Sequence, residues 1–200
     1  MPTDTYHHGA LHEAILDAAV AEARRSGPQG VKVRALAKII GVSASAVYRH
    51  VASIDALLAE VAQIAREQLA AQLVERRDRA PSRRTRIARS RERFRAIGVG
   101  YVDFALSEPH LFDTAFAPTS AGPPAPDDPS AWQVLIDGVE ELVDAGLVPP
   151  AAGEQAALIA WAGVHGIASI LVRRALTTPI ESDLAINVVL DGIMRSLETL

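Results

Sequence analysis

The feature that most constrains this chain is a glycine at position 41 set between two short segments with helical apolar spacing. Before it, VRALAKII places Leu36, Ala37 and Ile40 on one face. After it, VSASAVYRH turns Val42 and Val47 toward the same side. Helices this short are marginal alone and must cross closely to bury anything. A steep crossing needs a small residue at the contact, apolar partners around it and a turn residue free to take positive φ. Ala37, the four partners Leu36, Ile40, Val42 and Val47, and Gly41 meet those demands together. The plain alternative is a tight αα-hairpin inside a bundle.

Helical periodicity continues through the rest of the chain, with no convincing alternating strand. It predicts helices over about 8–25, 33–40, 45–50, 54–77, 83–106, 109–116, 130–145, 151–175 and 181–200. The expectation is an all-α protein of about nine helices. A three-helix domain with the helix-turn-helix covers 1–52, and a larger helical domain covers 53–200. Ser53 is the expected N-cap of the long fourth helix. PTSAGPPAPDDP, residues 118–129, carries five of the twelve prolines and reads as a linker or lid.

Composition narrows the class. Hydrophobic residues make up 49% and charged residues 22%, enough apolar material for a packed core. No uninterrupted apolar run reaches membrane-spanning length, and the N-terminus lacks the form of a signal peptide, so a cytoplasmic location is expected with no membrane partner. Cysteine is absent, which excludes disulfides and thiolate metal sites. Charge is segregated: residues 61–98 hold eleven Arg against four acidic residues, whereas 99–200 hold three Arg against fourteen. The basic run at Arg76–Arg95 would lie about 35 Å along the fourth helix from the second short helix, at 1.5 Å per residue. It is therefore read as a solvated face in preference to a phosphate clamp.

In a helix-turn-helix the second helix enters the major groove N-terminal end first. Its outward positions are expected to be Ala44, Ser45, Ala46, Tyr48, Arg49 and His50. Arg49 can pair with guanine O6 and N7, and Tyr48 and His50 can donate to phosphate. Arg34, at the start of the preceding helix, can reach a base or phosphate. Ser53 and the exposed amides behind it can hold a phosphate.

These residues carry a resemblance. GVKVRALAKIIGVSASAVYRHVASIDALL, residues 30–58, is similar to the DNA-binding domain of the tetracycline-repressor (TetR/AcrR) family, and TYHHGALHEAILDAA resembles its first helix with a short N-terminal arm. The resemblance implies a homodimer on a palindromic double-stranded operator, with Arg34, Ala44, Ser45, Ala46, Tyr48, Arg49 and His50 facing DNA. Three departures stand out: Val51 where Phe is usual, Ile54 in place of a phosphate-binding Lys, and Lys32 where a Ser or Thr cap is common.

The C-terminal part resembles the family more weakly. WAGVHG at 161–166 looks like the Trp-His-Gly signature of one subgroup, and YVDFALSEPHLFDTAF is similar to a stretch of many members. Trp161 and His165 share a helix face. With Tyr101, Phe104, Phe112 and Phe116 they are the candidate lining for a small apolar or amphipathic ligand; the bland reading is a set of core aromatics. Ala156, Ala160, Gly163, Gly166 and Ile170, with Leu184, Val188, Ile193 and Leu197 on the last helix, are the candidate dimer surface; the plain alternative is that the two glycines serve packing within the chain. The expected function is a ligand-responsive transcriptional regulator, most simply a repressor, with the long fourth helix as lever. The alternatives are a ligand-binding or scaffold bundle whose helix-turn-helix no longer binds DNA, and an enzyme using His165 with Glu108 or Asp113. No paired carboxylates, nucleophile motif or metal-ligand spacing supports the latter, so no catalysis, metal or cofactor is expected.

Overall fold

The computed structural model describes residues 4–118, 130–175 and 181–200, with side chains from residue 10 onward. Among these residues the chain is all α-helical: α1 (Asp4–Ser26), α2 (Val33–Ile40), α3 (Ala44–His50), α4 (Ile54–Asp78), α5 (Arg86–Ser107), α6 (Pro109–Ala115), α7 (Ala131–Asp144), α8 (Gly153–Val172) and α9 (Ser182–Leu197). Single 3₁₀ turns at Pro28–Gly30 and Pro150–Ala152 precede α2 and α8. Of the proline-rich segment read as a linker or lid, all but Pro118 lies outside the described residues.

Local chemistry sets most boundaries. Four differ from the sequence reading by three or more residues: α1 begins at Asp4 ahead of the expected His8, α9 ends at Leu197 short of Leu200, and two others have a local cause. Helix α5 starts at Arg86 and not Arg83, because the Thr85 hydroxyl caps it by accepting the Ala88 N–H at 3.2 Å. Helix α8 stops at Val172, short of Ala175: Arg174 takes a left-handed φ of 50°, and the Ala175 N–H turns back to the Ile170 carbonyl at 3.0 Å.

The described residues form two compact units. The first joins 4–66 to 108–118, so it contains α1, α2, α3, the first half of α4, and α6. The three-helix head read at 1–52 is thus part of a larger contact unit, because α6 packs on α1 and Arg24 of α1 pairs with Glu108 at 3.0 Å. Ile15, Ala19, Leu36, Val47, Leu57 and Leu111 are fully buried within the unit. Burying such side chains contributes roughly 1.5–3 kcal/mol each, which is what holds helices as short as α2 and α3.

The second unit joins 67–107 to 130–175 and 181–200. Helix α5 packs against α7, α8 and α9, and α8 packs against α7 and α9. Helix α8 has the length and mean hydropathy (1.6) of a membrane span, yet it packs in this bundle and buries Ala156, Ala160, Val164 and Ile167 there. Part of the segregated charge is paired within this unit. Arg76 pairs with Asp103, Arg83 with Glu92, Arg91 with Glu198, Arg93 with Glu141 and Arg95 with Asp191, at 2.6–2.8 Å. Four arginines of the basic run thus meet carboxylates of the acidic C-terminal part across α4, α5, α7 and α9, while Arg83 pairs with Glu92 inside the basic stretch. Half-exposed pairs of this kind contribute little individually, about 0–1 kcal/mol.

Candidate functional site

The turn between α2 and α3 is locked on both sides. Gly41 has φ 74° and ψ 30°, and the Val42 N–H donates to the Ala37 carbonyl at 2.9 Å, the hydrogen bond that closes a helix through a left-handed residue. Ser43 then caps α3, its hydroxyl accepting the Ala46 N–H at 3.1 Å, and lies 2.9 Å from the Ser45 hydroxyl. Leu36, Ala37 and Val47 fill the crossing, with Ile40 and Val42 half-buried at its edge. Ser53 caps α4 by accepting the Ala56 N–H at 3.0 Å, which leaves its own hydroxyl proton available.

On this frame Tyr48 is 60% exposed, and Ser45, Arg49, Arg34 and Ser53 are exposed with it. Ala44 and His50 are half-buried. Ala46 departs from the outward set. It is 9% exposed and sits beside Val47 on the buried face of α3, so it belongs to the crossing. Ile54, where the family usually has Lys, is half-buried. Lys32 precedes α2 in extended conformation with no side-chain cap bond, so the helix starts without that anchor.

One pair at this site had no signal in the sequence. His12 of α1 lies with Nδ1 3.1 Å from the carbonyl oxygen of His50 and Nε2 2.9 Å from Glu60 Oε2 of α4. Residues 48 positions apart on different helices leave no periodicity to find. The contact joins α1, α3 and α4 through one ring.

In the second unit Tyr101, Trp161 and His165 come together. The Tyr101 hydroxyl is 2.8 Å from His165 Nδ1, and the Trp161 ring stacks on the imidazole at 6.0 Å and 5°. Burial, then the nearby charge of Arg173, holds His165 below the ordinary histidine range, and burial pushes the Tyr101 phenol far above its own. Both groups are therefore neutral at pH 7, and one hydrogen bond joins the phenol oxygen to Nδ1. Trp132 of α7 stands edge-on to Trp161 at 5.6 Å. Sequence reasoning missed it, although in a chain with 4% aromatics every ring beside an apolar helix is a candidate. Phe104 is buried on α5. Phe112 and Phe116 pack edge-to-face on each other at 5.1 Å in the first unit.

An apolar cleft touches the Tyr101–Trp161 pair, lined also by Phe94, Leu135, Val164 and Leu190. Its free volume is about 30 Å³, the space of a single water molecule. Among the described residues no group of three or more His, Cys, Asp or Glu side chains is placed to hold a metal ion.

The α8–α9 surface divides the residues expected at a dimer contact. Ala156, Ala160, Ile193 and Leu197 are buried inside the unit. Gly163 serves the same intrachain packing, since a Cβ there would lie 2.7 Å from Ile193 Cδ1. What remains open is a stripe at four-residue spacing, Leu158, Ala162, Gly166 and Ile170, alongside Leu184 and Val188 of α9.

Comparison with known proteins agrees with this architecture. Residues 15–61 match the family model described as bacterial regulatory proteins of the tetR family. Residues 94–193 match the one described as the tetracyclin repressor-like C-terminal domain. A solved protein of unknown function from Rhodococcus sp. RHA1 is 27% identical, with a TM-score of 0.76 over 98% of this chain and 99% of that one. A TetR transcriptional regulator from Streptomyces coelicolor is 20% identical, at TM-score 0.60 over 94% and 97%. A TetR variant from Acinetobacter baumannii AYE, solved in complex with minocycline, is also 20% identical, at TM-score 0.60 over 92% and 94%. No curated protein matches. With both halves matched and the fold shared along its length, the chain belongs to the TetR family of transcriptional regulators.

Proposed function

We propose that this regulator is a repressor that grips a palindromic operator as a homodimer and is released by a small apolar or amphipathic ligand. The observation that carries the reading is the exposed row Ser45, Tyr48 and Arg49 on a helix whose turn and N-terminus are fixed by Gly41 and Ser43. Arg49 reads a guanine in the major groove. Tyr48, His50 and Ser53 hold phosphates, and Arg34 reaches a base or phosphate from α2. Ala44 lets the backbone approach closely. The protein does this in the cytoplasm and carries out no catalysis.

The second copy sits on the stripe of Leu158, Ala162, Gly166 and Ile170 with Leu184 and Val188. A stripe of small and apolar residues lets two helix pairs approach closely, and apolar surface of this kind is characteristic of homodimer contacts. The C-terminal domain falls in the Trp-His-Gly subgroup, a reading supported by the stacking of Trp161 on His165.

The ligand site is the cleft lined by Tyr101 and Trp161, whose rings meet His165. Minocycline bound in the Acinetobacter TetR supports a small molecule as the effector class. A cleft with room for one water cannot take an organic molecule unchanged, so binding selects a wider state. Helix α5, which carries Tyr101, runs through one residue into α6, and α6 packs on α1 in the reading unit. That gives ligand occupancy a covalent route to the reading helices, with α4 as lever. The coupling requires the ligand to prefer the wide state and the operator the narrow one.

A gel shift against DNA flanking the gene tests the reading. The wild-type chain is expected to retard a palindromic fragment. Arg49→Ala should relax base preference, and His50→Ala should weaken binding on all sequences alike. A protein that binds candidate ligands yet keeps the same operator affinity would contradict the release mechanism.

A further inference from the structure

The contact of His12 is not needed to build the helix-turn-helix, and its chemistry is specific. The His50 carbonyl and the Glu60 carboxylate are both acceptors. An imidazole donates from both ring nitrogens only when protonated, so the geometry at 3.1 and 2.9 Å fits the imidazolium. The last carbonyls of a helix lack intrahelical amides, and His12 supplies a donor to the final residue of α3. That residue directly follows Tyr48 and Arg49, the exposed contacts of the reading helix.

We propose that His12 is a positioning residue for DNA binding: as the imidazolium it pins the C-terminal end of α3 to α1 and α4, and operator affinity is therefore proton-dependent. The inference rests on the reading of α3 as the recognition helix. Glu60 is the carboxylate that faces His12 from α4, and from α3 it meets the His50 backbone. On α1 itself Glu13 and Asp17 are exposed, one and five residues beyond His12, and Arg24 and Arg25 lie about 18 Å further along the helix. There Arg24 pairs with Glu108 beside α6 and Arg25 with Glu22.

The direction of the effect follows from linkage. The His50 carbonyl, then the Glu60 side chain, hold His12 above the ordinary histidine range, against the opposing effect of burial. A raised value in the folded state means the pinning is complete below the ordinary histidine pKa and fades as pH climbs through the raised one. Affinity is highest on the acidic side of neutrality and declines above it.

The experiment uses the full chain and a labelled duplex selected by the wild-type protein from a randomised pool. Binding is followed by fluorescence anisotropy from pH 6 to 9 at constant ionic strength. Wild-type affinity is expected to fall roughly two- to fivefold across the titration, the range for a half-exposed ion pair. His12→Gln should bind at the weak limit with that step gone. His12→Arg, charged throughout, should restore the strong limit without the step. His50→Gln, which removes the other imidazole at the site, should retain the step. In parallel, NMR titration of His12 without DNA should show a raised pKa that falls in Glu60→Gln. A His12→Gln profile matching wild type, or a His12 that titrates identically in Glu60→Gln, would overturn the inference alone. Failure of the wild-type protein to select any duplex would overturn the reading-helix assignment and this inference with it.

Discussion

Replacing Gly41 with alanine isolates the backbone requirement of the turn. A Cβ at this position meets no atom within 4 Å, so the substitution introduces no clash. What it costs is the left-handed conformation itself, φ 74° and ψ 30°, about 1–2 kcal/mol for an L-residue. Alanine also narrows the unfolded ensemble, which offsets roughly 0.4–1 kcal/mol. The net expectation is a loss of about 1 kcal/mol, or about 2–4 °C in Tm for a chain of this size. Gly41→Asn, a residue that tolerates this region, should lose less. Urea and thermal unfolding followed by circular dichroism give the stabilities, and amide exchange at Val42 reports directly on its bond to Ala37. If Gly41→Ala matched wild type in stability and exchange, the left-handed lock would not be what sets the turn. Asparagine proving as damaging as alanine would refute the reasoning in the same way.

Other outcomes follow from the same geometry. Arg174→Gly should stabilise the end of α8 by up to about 1 kcal/mol, read as a raised Tm, because Arg174 sits at φ 50° where glycine is unstrained. Val188→Asp, at a side chain 58% exposed, should leave the fold intact and shift the sedimentation coefficient from dimer to monomer. Ile54→Lys should raise operator affinity and steepen its salt dependence by about one unit per subunit, measured by anisotropy across a salt series. Acid should selectively loosen the second unit. His165 is held below the ordinary histidine range, so the unfolded chain binds its proton more readily and stability falls as pH drops through the unfolded value. Replacing His165 with Gln should remove that part of the pH-dependent unfolding.

The parts of this protein legible in the sequence are those fixed by neighbours within a few residues. Gly41 with Ala37 and Val47 announced the crossing, Ser43 and Ser53 stand in cap position, and helical spacing located all nine described helices to within a few residues. Ala46 was misjudged because outward and inward positions on a seven-residue helix differ by one step, and a small side chain gives no hydrophobic signal. Gly163 and Ile193 looked like surface material for the reverse reason: only the packing of α8 on α9 shows that they fill each other's space. The pairing of the arginine run with Glu141, Asp191 and Glu198 links residues 48 to 107 positions apart. The association of α6 with α1 and the His12 contact are equally non-local, and sequence periodicity carries no record of either.

The central claim is that α3 reads DNA through Arg49. The direct test is to select binding sites from a randomised duplex pool with wild-type protein and with Arg49→Ala, then compare the two enriched sequences. The account predicts a two-fold symmetric wild-type site whose half-sites each carry a guanine, and loss of preference at that position alone in Arg49→Ala, with discrimination reduced by about 1–3 kcal/mol. Identical enriched sites from the two proteins would contradict it.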